Sequence, residues 1–273
     1  MPRVTLALRA RPAVPLEAPC VRPDAFPAMS AAEIGRLTVW HGNEPVPLGD
    51  WFDIDGGYGD DVRVTGDALA SVKRLGEEMA GGRLVIEGHA GTHAGARMSG
   101  GHIRIEGDAD DWVGAEMRGG VIDVQGRAGA HAGAAYAGSR RGMSGGALIL
   151  RGDAGDFLGD IMRRGLIAVG GGTGDYAGAG MIAGSILVFG DAGRRAGAGL
   201  KRGSIVAYGD IEPLPTYRYA CTYRPPFLPL YLRTLRDRHG MRFDDRFMNG
   251  RYRRYTGDLT ELARGEILIW TDS

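Results

Sequence analysis

The stretch Met79–Arg97, MAGGRLVIEGHAGTHAGAR, decides the fold, because it restarts at Met98, Met117, Met143, Met162, Met181 and Leu200. The starts are 19 residues apart, except for one gap of 26. The same spacing carries the apolar pairs Leu84/Ile86, Ile103/Ile105, Ile122/Val124, Leu148/Leu150, Ile167/Val169, Ile186/Val188 and Ile205/Ala207. Glycines follow at fixed offsets, first at Gly88, Gly107, Gly126, Gly152, Gly171, Gly190 and Gly209. Removing residues 135–141, AYAGSRR, restores the register, so they read as one insertion.

A repeat of about 20 residues with one strand and a run of glycines cannot bury its own apolar face, so its copies must stack. Two apolar residues two positions apart share a strand face, which makes a ladder of Ile, Leu and Val down the axis. The expected fold is all-β: a right-handed parallel β-helix, a solenoid of about seven to eight coils, the hand following the usual strand crossover. The domain boundaries expected are an N-terminal cap at 1–61, the β-helix at 62–210 and a C-terminal helix and tail at 211–273. The glycines also form G-x-x-G-x-x-x-G, as at Gly88/Gly91/Gly95, but five copies in register read as corners rather than as nucleotide loops. At the Gly107 copy Asp110 replaces the middle glycine, which predicts a locally different corner.

The chain has 47 Gly among 273 residues and balances 33 basic against 33 acidic side chains, so no nucleic-acid partner is expected. Cys20 and Cys221 form no CxxC pair, which supports neither a disulfide framework nor an iron–sulfur site. No 18-residue apolar run and no secretory-type leader in residues 1–28 are present, so a soluble, cytoplasmic protein with no membrane partner is expected.

Val4–Arg9 alternates like a strand, and Ser30-Ala31-Ala32-Glu33 is a capping box. Strands are expected at Leu37–Trp40 and Trp51–Ile54, with His41-Gly42-Asn43 as the turn between them. Val62/Val64/Gly66 repeats the rung pattern, and Ala68–Glu78 is expected to be helical. Leu228, Tyr231, Leu232 and Leu235 predict an amphipathic helix ending at Gly240, and Glu266–Trp270 a last strand. Residues 241–257 lack clear periodicity and read as an ordered tail or an arm lying on a partner.

His89 and His93 have ligand spacing only if helical, and His93 and His131 lie two rungs apart with Trp112 between, so no metal site is expected. Asp108, Asp153 and Asp191 share a column, interrupted by Arg127, and supply no matching acid partner for a glycosidase-type pair. No catalytic residue is assigned. The one suggestive pattern is cationic: the residues after each repeat's Met, with the insertion, place Arg118, Arg140, Arg141, Arg163, Arg164, Lys201 and Arg202 near one stripe. Adjacent rungs are only about 4.8 Å apart, close enough for such a stripe to hold a polyanionic ligand or an acidic partner surface. A solvated charged face is the competing reading.

The run MxGGxIxIxGxAGxxxGAxM, with WVGAEMRGG (112–120), GAAYAGSRRGMSGG (133–146) and DIMRRG (160–165), resembles the C-type subunit of formylmethanofuran dehydrogenase. It resembles still more the corresponding subunit of the formyltransferase/hydrolase complex of methylotrophic bacteria, over about residues 37–273, including LPTY (214–217), FLPLYLR (227–233) and GDL (257–259). The same repeat resembles the C-terminal domain of the glutamate synthase large subunit. The resemblance implies a non-catalytic subunit that binds no cofactor itself. Its partners would be an amidohydrolase-like subunit and a formyltransferase subunit. The complex would use tetrahydromethanopterin and a methanofuran-type carrier, whose polyglutamate tail the basic stripe would guide. A free-standing β-helix interaction module is the alternative.

Overall fold

Every apolar pair found by spacing lies on a short strand, and neighbouring strands pair in parallel at the repeat offset. The structure, a computed structural model, describes residues 3–272. In chain order the elements are β1 (Arg3–Leu8), β2 (Leu16–Glu17), α1 (Ala31–Gly35), β3 (Thr38–His41), β4 (Glu44–Pro47), α2 (Leu48–Trp51), β5 (Phe52–Gly56), β6 (Asp61–Thr65) and β7 (Val72–Lys73). The repeats supply β8 (Arg83–Glu87), β9 (His102–Ile105), β10 (Val121–Val124), β11 (Ala147–Leu150), β12 (Leu166–Val169), β13 (Ser185–Val188) and β14 (Arg202–Ala207). After them come β15 (Arg218–Tyr223), α3 (Leu228–Asp237), β16 (Arg251–Gly257) and β17 (Arg264–Thr271).

The molecule is therefore mostly β with few helices, and its main body is a 13-stranded sheet ordered β15-β16-β17-β14-β13-β12-β11-β10-β9-β8-β6-β1-β5. From β1 to β17 the neighbours are parallel, while β5, β16 and β15 are antiparallel additions at the ends. The register aligns Ile103 with Ile122, Ile122 with Leu148 and Leu148 with Ile167, and all four side chains are fully buried. Complete burial is worth roughly 1.5–3 kcal/mol for each such side chain, which is why the pattern repeats at every rung.

A second column of contacts runs beside the strands. Parallel bridges link Ala90, Ala109, Ala128, Ala154, Thr173 and Ala192 in succession. Consecutive backbones approach closely beside this column: a Cβ on Gly193, next to Ala192, would lie 2.4 Å from the carbonyl oxygen of Gly174. The Asp110 corner proves regular: its N–H donates to the Ala90 carbonyl just as the Gly129 N–H donates to that of Ala109. Its side chain is exposed, and Oδ1 accepts the N–H of Asp111 at 3.0 Å.

Two further expectations need correction. Ala68–Glu78 is not helical; it holds a 3-10 turn at Leu69–Ser71 and the short strand β7, which pairs in parallel with β2. Tertiary pairing overrides helical propensity here. The turn after His41 leads into β4 rather than into β5, in a small sheet ordered β4-β3-β2-β7. The capping box at Ser30 and Glu33 is present on both sides.

The C-terminal segment covers the outer face of the later rungs. Leu228, Leu232 and Leu235 of α3 pack with Ile149, Leu187 and Val206, so β11 to β14 are buried on both faces. The helix ends where Gly240, at φ 61°, donates to the Arg236 carbonyl, the usual left-handed stop. Of the tail at 241–257, residues 251–257 are an ordered strand of the chain's own sheet, with β16 between β15 and β17.

Candidate functional site

The turn after each repeat's Met sets the cationic stripe. The N–H groups of Arg118, Arg163 and Lys201 donate to the carbonyls of Met98, Met143 and Met181, one rung earlier, at 2.7 to 2.8 Å. The chain bends there, and the side chains leave the stack. Arg118, Arg140, Arg141, Arg163, Arg164 and Arg202 are exposed, and none has a carboxylate within 4.0 Å among the described residues. Lys201 is half-buried and faces Glu261 at 3.7 Å.

The structure groups these residues unevenly. The carbonyl of Met143 accepts from both Arg163 and Arg164, and Gly142 donates to Ile161, so Arg141, Arg163 and Arg164 lie on neighbouring rungs. Ser144 separates Arg118 from Arg163, and Ile182 separates Arg163 from Lys201. The result is one cluster, with Arg118 on one side and the adjacent Lys201 and Arg202 on the other.

Another column, which strand spacing does not single out, runs along a different corner. His93, Trp112, His131, Phe157 and Tyr176 recur at the repeat offset and stack, with centroids 6.2, 4.1, 5.0 and 4.9 Å apart in succession. All five adopt positive φ, between 58° and 66°. That conformation costs a bulky residue roughly 1–2 kcal/mol, and ring stacking offsets it. The sequence already places His93, Trp112 and His131 in one column, and the same recurrence, with its one gap of 26, extends it to Phe157 and Tyr176.

The insertion folds back over this ladder. The Tyr136 ring stacks on Trp112 at 5.1 Å, and its hydroxyl bonds His93 Nδ1 at 2.9 Å. Arg97 lies over the Tyr136 ring at 5.2 Å and pairs with Glu116 at 3.2 Å. Burial pushes the Tyr136 hydroxyl up to about 12. Burial would raise the Glu116 carboxyl, but hydrogen bonds from Ser139, Arg97 and the Tyr136 N–H hold it below its ordinary value.

The aspartate columns act on backbone. Asp108, Asp153 and Asp191 each accept the N–H 19 residues ahead, from Arg127, Gly172 and Asp210, at 2.8 Å. Asp111, Asp156 and Asp175 do the same for Ala130, Asp175 and Arg194. These carboxylates fasten one rung to the next. Among the described residues no group of three or more His, Cys, Asp or Glu is gathered to hold a metal ion, and no helix is long and apolar enough to cross a membrane.

A parallel stack with glycine corners, its aspartates tied to backbone, marks a repeat-built protein, and residues 83–216 match the model of the GXGXG motif. Similarity extends to the crystal structure of the formyltransferase/hydrolase complex from Methylorubrum extorquens in complex with methylofuran, with 34% identity, 97% of this chain and 98% of that chain covered, and a TM-score of 0.90. Two archaeal relatives are similar over shorter stretches. The C-type subunit of tungsten-containing formylmethanofuran dehydrogenase 2 from Methanothermobacter wolfeii is 38% identical over 35% of this chain and 37% of its own length. The C-type subunit of molybdenum-containing formylmethanofuran dehydrogenase 1 from Methanosarcina barkeri is 42% identical over 29% and 28%. The matched stretches thus span little more than a third of the first relative and less than a third of the second. The chain belongs to the family formed by the C-type subunits of the formyltransferase/hydrolase complex and of formylmethanofuran dehydrogenase.

Proposed function

We propose that this chain is the non-catalytic scaffold of a formyltransferase/hydrolase complex. In this reading the complex moves a formyl group from formyl-tetrahydromethanopterin to a methanofuran-type carrier and hydrolyses it to formate. The partners are an amidohydrolase-like subunit and a formyltransferase subunit, the chain itself binds no cofactor, and the assembly works in the cytoplasm. The supporting observation is the whole-length similarity to a chain of the Methylorubrum complex, TM-score 0.90. A stack whose rungs are hydrogen-bonded corner by corner also suits a rigid support.

The same proposal includes a right-handed parallel β-helix of about seven to eight coils, favoured by the parallel crossover rule. It includes the division into cap (1–61), array (62–210) and C-terminal segment (211–273). It also gives the Arg141/Arg163/Arg164 cluster an acidic partner surface or the carrier's polyglutamate tail. The archaeal relatives support a second reading, the C-type subunit of a formylmethanofuran dehydrogenase.

Co-purification tests the first reading. The native chain should migrate with two or three larger subunits, and complex activity should require it; turnover of a substrate by the isolated chain would overturn the proposal. Charge reversal at Arg163 and Arg164 should weaken assembly or carrier retention. Unchanged assembly together with unchanged carrier binding would remove the stripe's role.

A further inference from the structure

Strand β15 is the terminal strand of the 13-stranded sheet, so its outer edge has no strand partner among the described residues. At the other end β5 is terminal too, but α1 packs against it, Asp53 and Asp55 project charge, and Gly56 turns the chain away at φ 87°. Such guards keep an edge from recruiting further strands. The β15 sequence RYACTY contains no proline, acid or lysine, and its first four residues are exposed. A register shift between Tyr219 and Cys221 bends it once, and the residues on either side stay paired with β16.

The apolar row of the core runs out of cover at this edge. Ile205 pairs with Ile267, Ile267 with Tyr255 and Tyr255 with Tyr219, while exposure climbs from nothing at Ile267 to 56% at Tyr219. Leu259 and Leu262, 45% and 55% exposed, sit in the adjoining loop, whose Leu259 N–H donates to the Thr216 carbonyl at 3.0 Å. Three of the seven exposed large apolar side chains among the described residues therefore gather here.

Charge selects the occupant. No acidic residue occurs between Glu212 and Asp237. Arg218, Arg224, Arg251 and Arg253 are exposed, with no carboxylate within 4.0 Å among the described residues. A second copy would bring the same arginines against their like. An acidic strand would neutralise them.

We propose that β15 seats an extended, acid-bearing strand from another subunit of the complex. It adds to the sheet through main-chain hydrogen bonds, sets an apolar side chain over Tyr219 and places carboxylates on the flanking arginines. The inference rests on reading this chain as a complex subunit and goes further by naming the surface and the chemistry of what binds it.

Hydrogen exchange of residues 218–223 tests it, comparing the isolated full chain with the assembled complex. Outer-edge amides should exchange at least about tenfold more slowly in the complex. Unchanged exchange in an intact complex overturns the inference and leaves the scaffold reading standing. Failure to co-purify with any partner overturns both. Protection that appears in the isolated chain as its concentration rises identifies a second copy as the occupant and also overturns it. In a second arm, Arg218→Glu with Arg224→Glu should cut retention in the complex by at least about fivefold at physiological salt, with an unchanged thermal melt. Wild-type retention would count against the proposal.

Discussion

Arg151 and Asp123 form a two-pronged ion pair, with Nε to Oδ1 at 3.1 Å and Nη2 to Oδ2 at 3.0 Å, on the outer face where the C-terminal segment meets the sheet. Arg151 also donates to the carbonyls of His239 and Gly240, just past the end of α3. One guanidinium thus ties the helix to the stack.

Because Asp123 is almost fully buried, Arg151→Met leaves a carboxylate without its main partner and should cost about 3 kcal/mol. Chemical denaturation measures the loss, and limited proteolysis should cut near residue 240 first. The double variant Asp123→Leu with Arg151→Met should recover much of the stability, because no unpaired buried charge remains. A double variant no more stable than the single one would contradict this account.

Gly119→Ala brings a methyl group to 2.3 Å from the Ser99 carbonyl and should destabilise by about 2 kcal/mol. Gly81, with nothing within 4 Å of an added Cβ and no positive φ, is the control. Gly81→Ala should be neutral or slightly stabilising. Equal melting temperatures for the two variants would refute the close-approach argument.

Trp112 lies in the stack at φ 66°. Replacing it with Ala removes the ring contacts and keeps the unfavourable backbone, whereas Gly removes both. Trp112→Gly should therefore be about 1 kcal/mol more stable than Trp112→Ala, the reverse of the order usual in regular structure. Differential scanning calorimetry decides between the two orders.

Burial holds the imidazoles of His93, His102 and His239 below their ordinary value. The unfolded chain then binds protons more readily than the folded one, so the penalty is absent well above the unfolded pKa. It grows as pH falls through that value, near 6.5. The melting temperature should drop between about pH 7.5 and 5.5, and His102→Gln with His239→Gln should flatten the slope. A melting temperature constant across that range in the unmodified chain would contradict the burial of these rings.

The ladder of Ile103, Ile122, Leu148 and Ile167 was legible because a strict period forces equivalent residues into equivalent places. The cover over β11 to β14 was harder to see, yet Leu148-Ile149-Leu150 and Leu166-Ile167-Ala168-Val169 are unbroken apolar runs, the sign of a strand buried on both faces. Residues 218–223 and 251–257 form strands only by pairing with each other and with β17, so their local pattern carries little signal. Ala68–Glu78 misled for the same reason: its short strand exists because β2 lies beside it. Of the candidate stripe, spacing gave the column of Arg118, Arg163 and Lys201. That Lys201 answers to Glu261, sixty residues on, only the folded chain reveals.

The excursion at 135–141 leaves and rejoins the stack at almost the same point. Ala135 donates to Asp160, Gly142 to Ile161 and Met143 to Gly133. Length at this corner is thereby uncoupled from the pitch of the array, which tolerates a detour wherever departure and return coincide. A foreign loop spliced between Ala137 and Arg140 would be displayed beside the aromatic rings without shifting a single rung, making this corner a natural place to graft a tag or a new recognition loop.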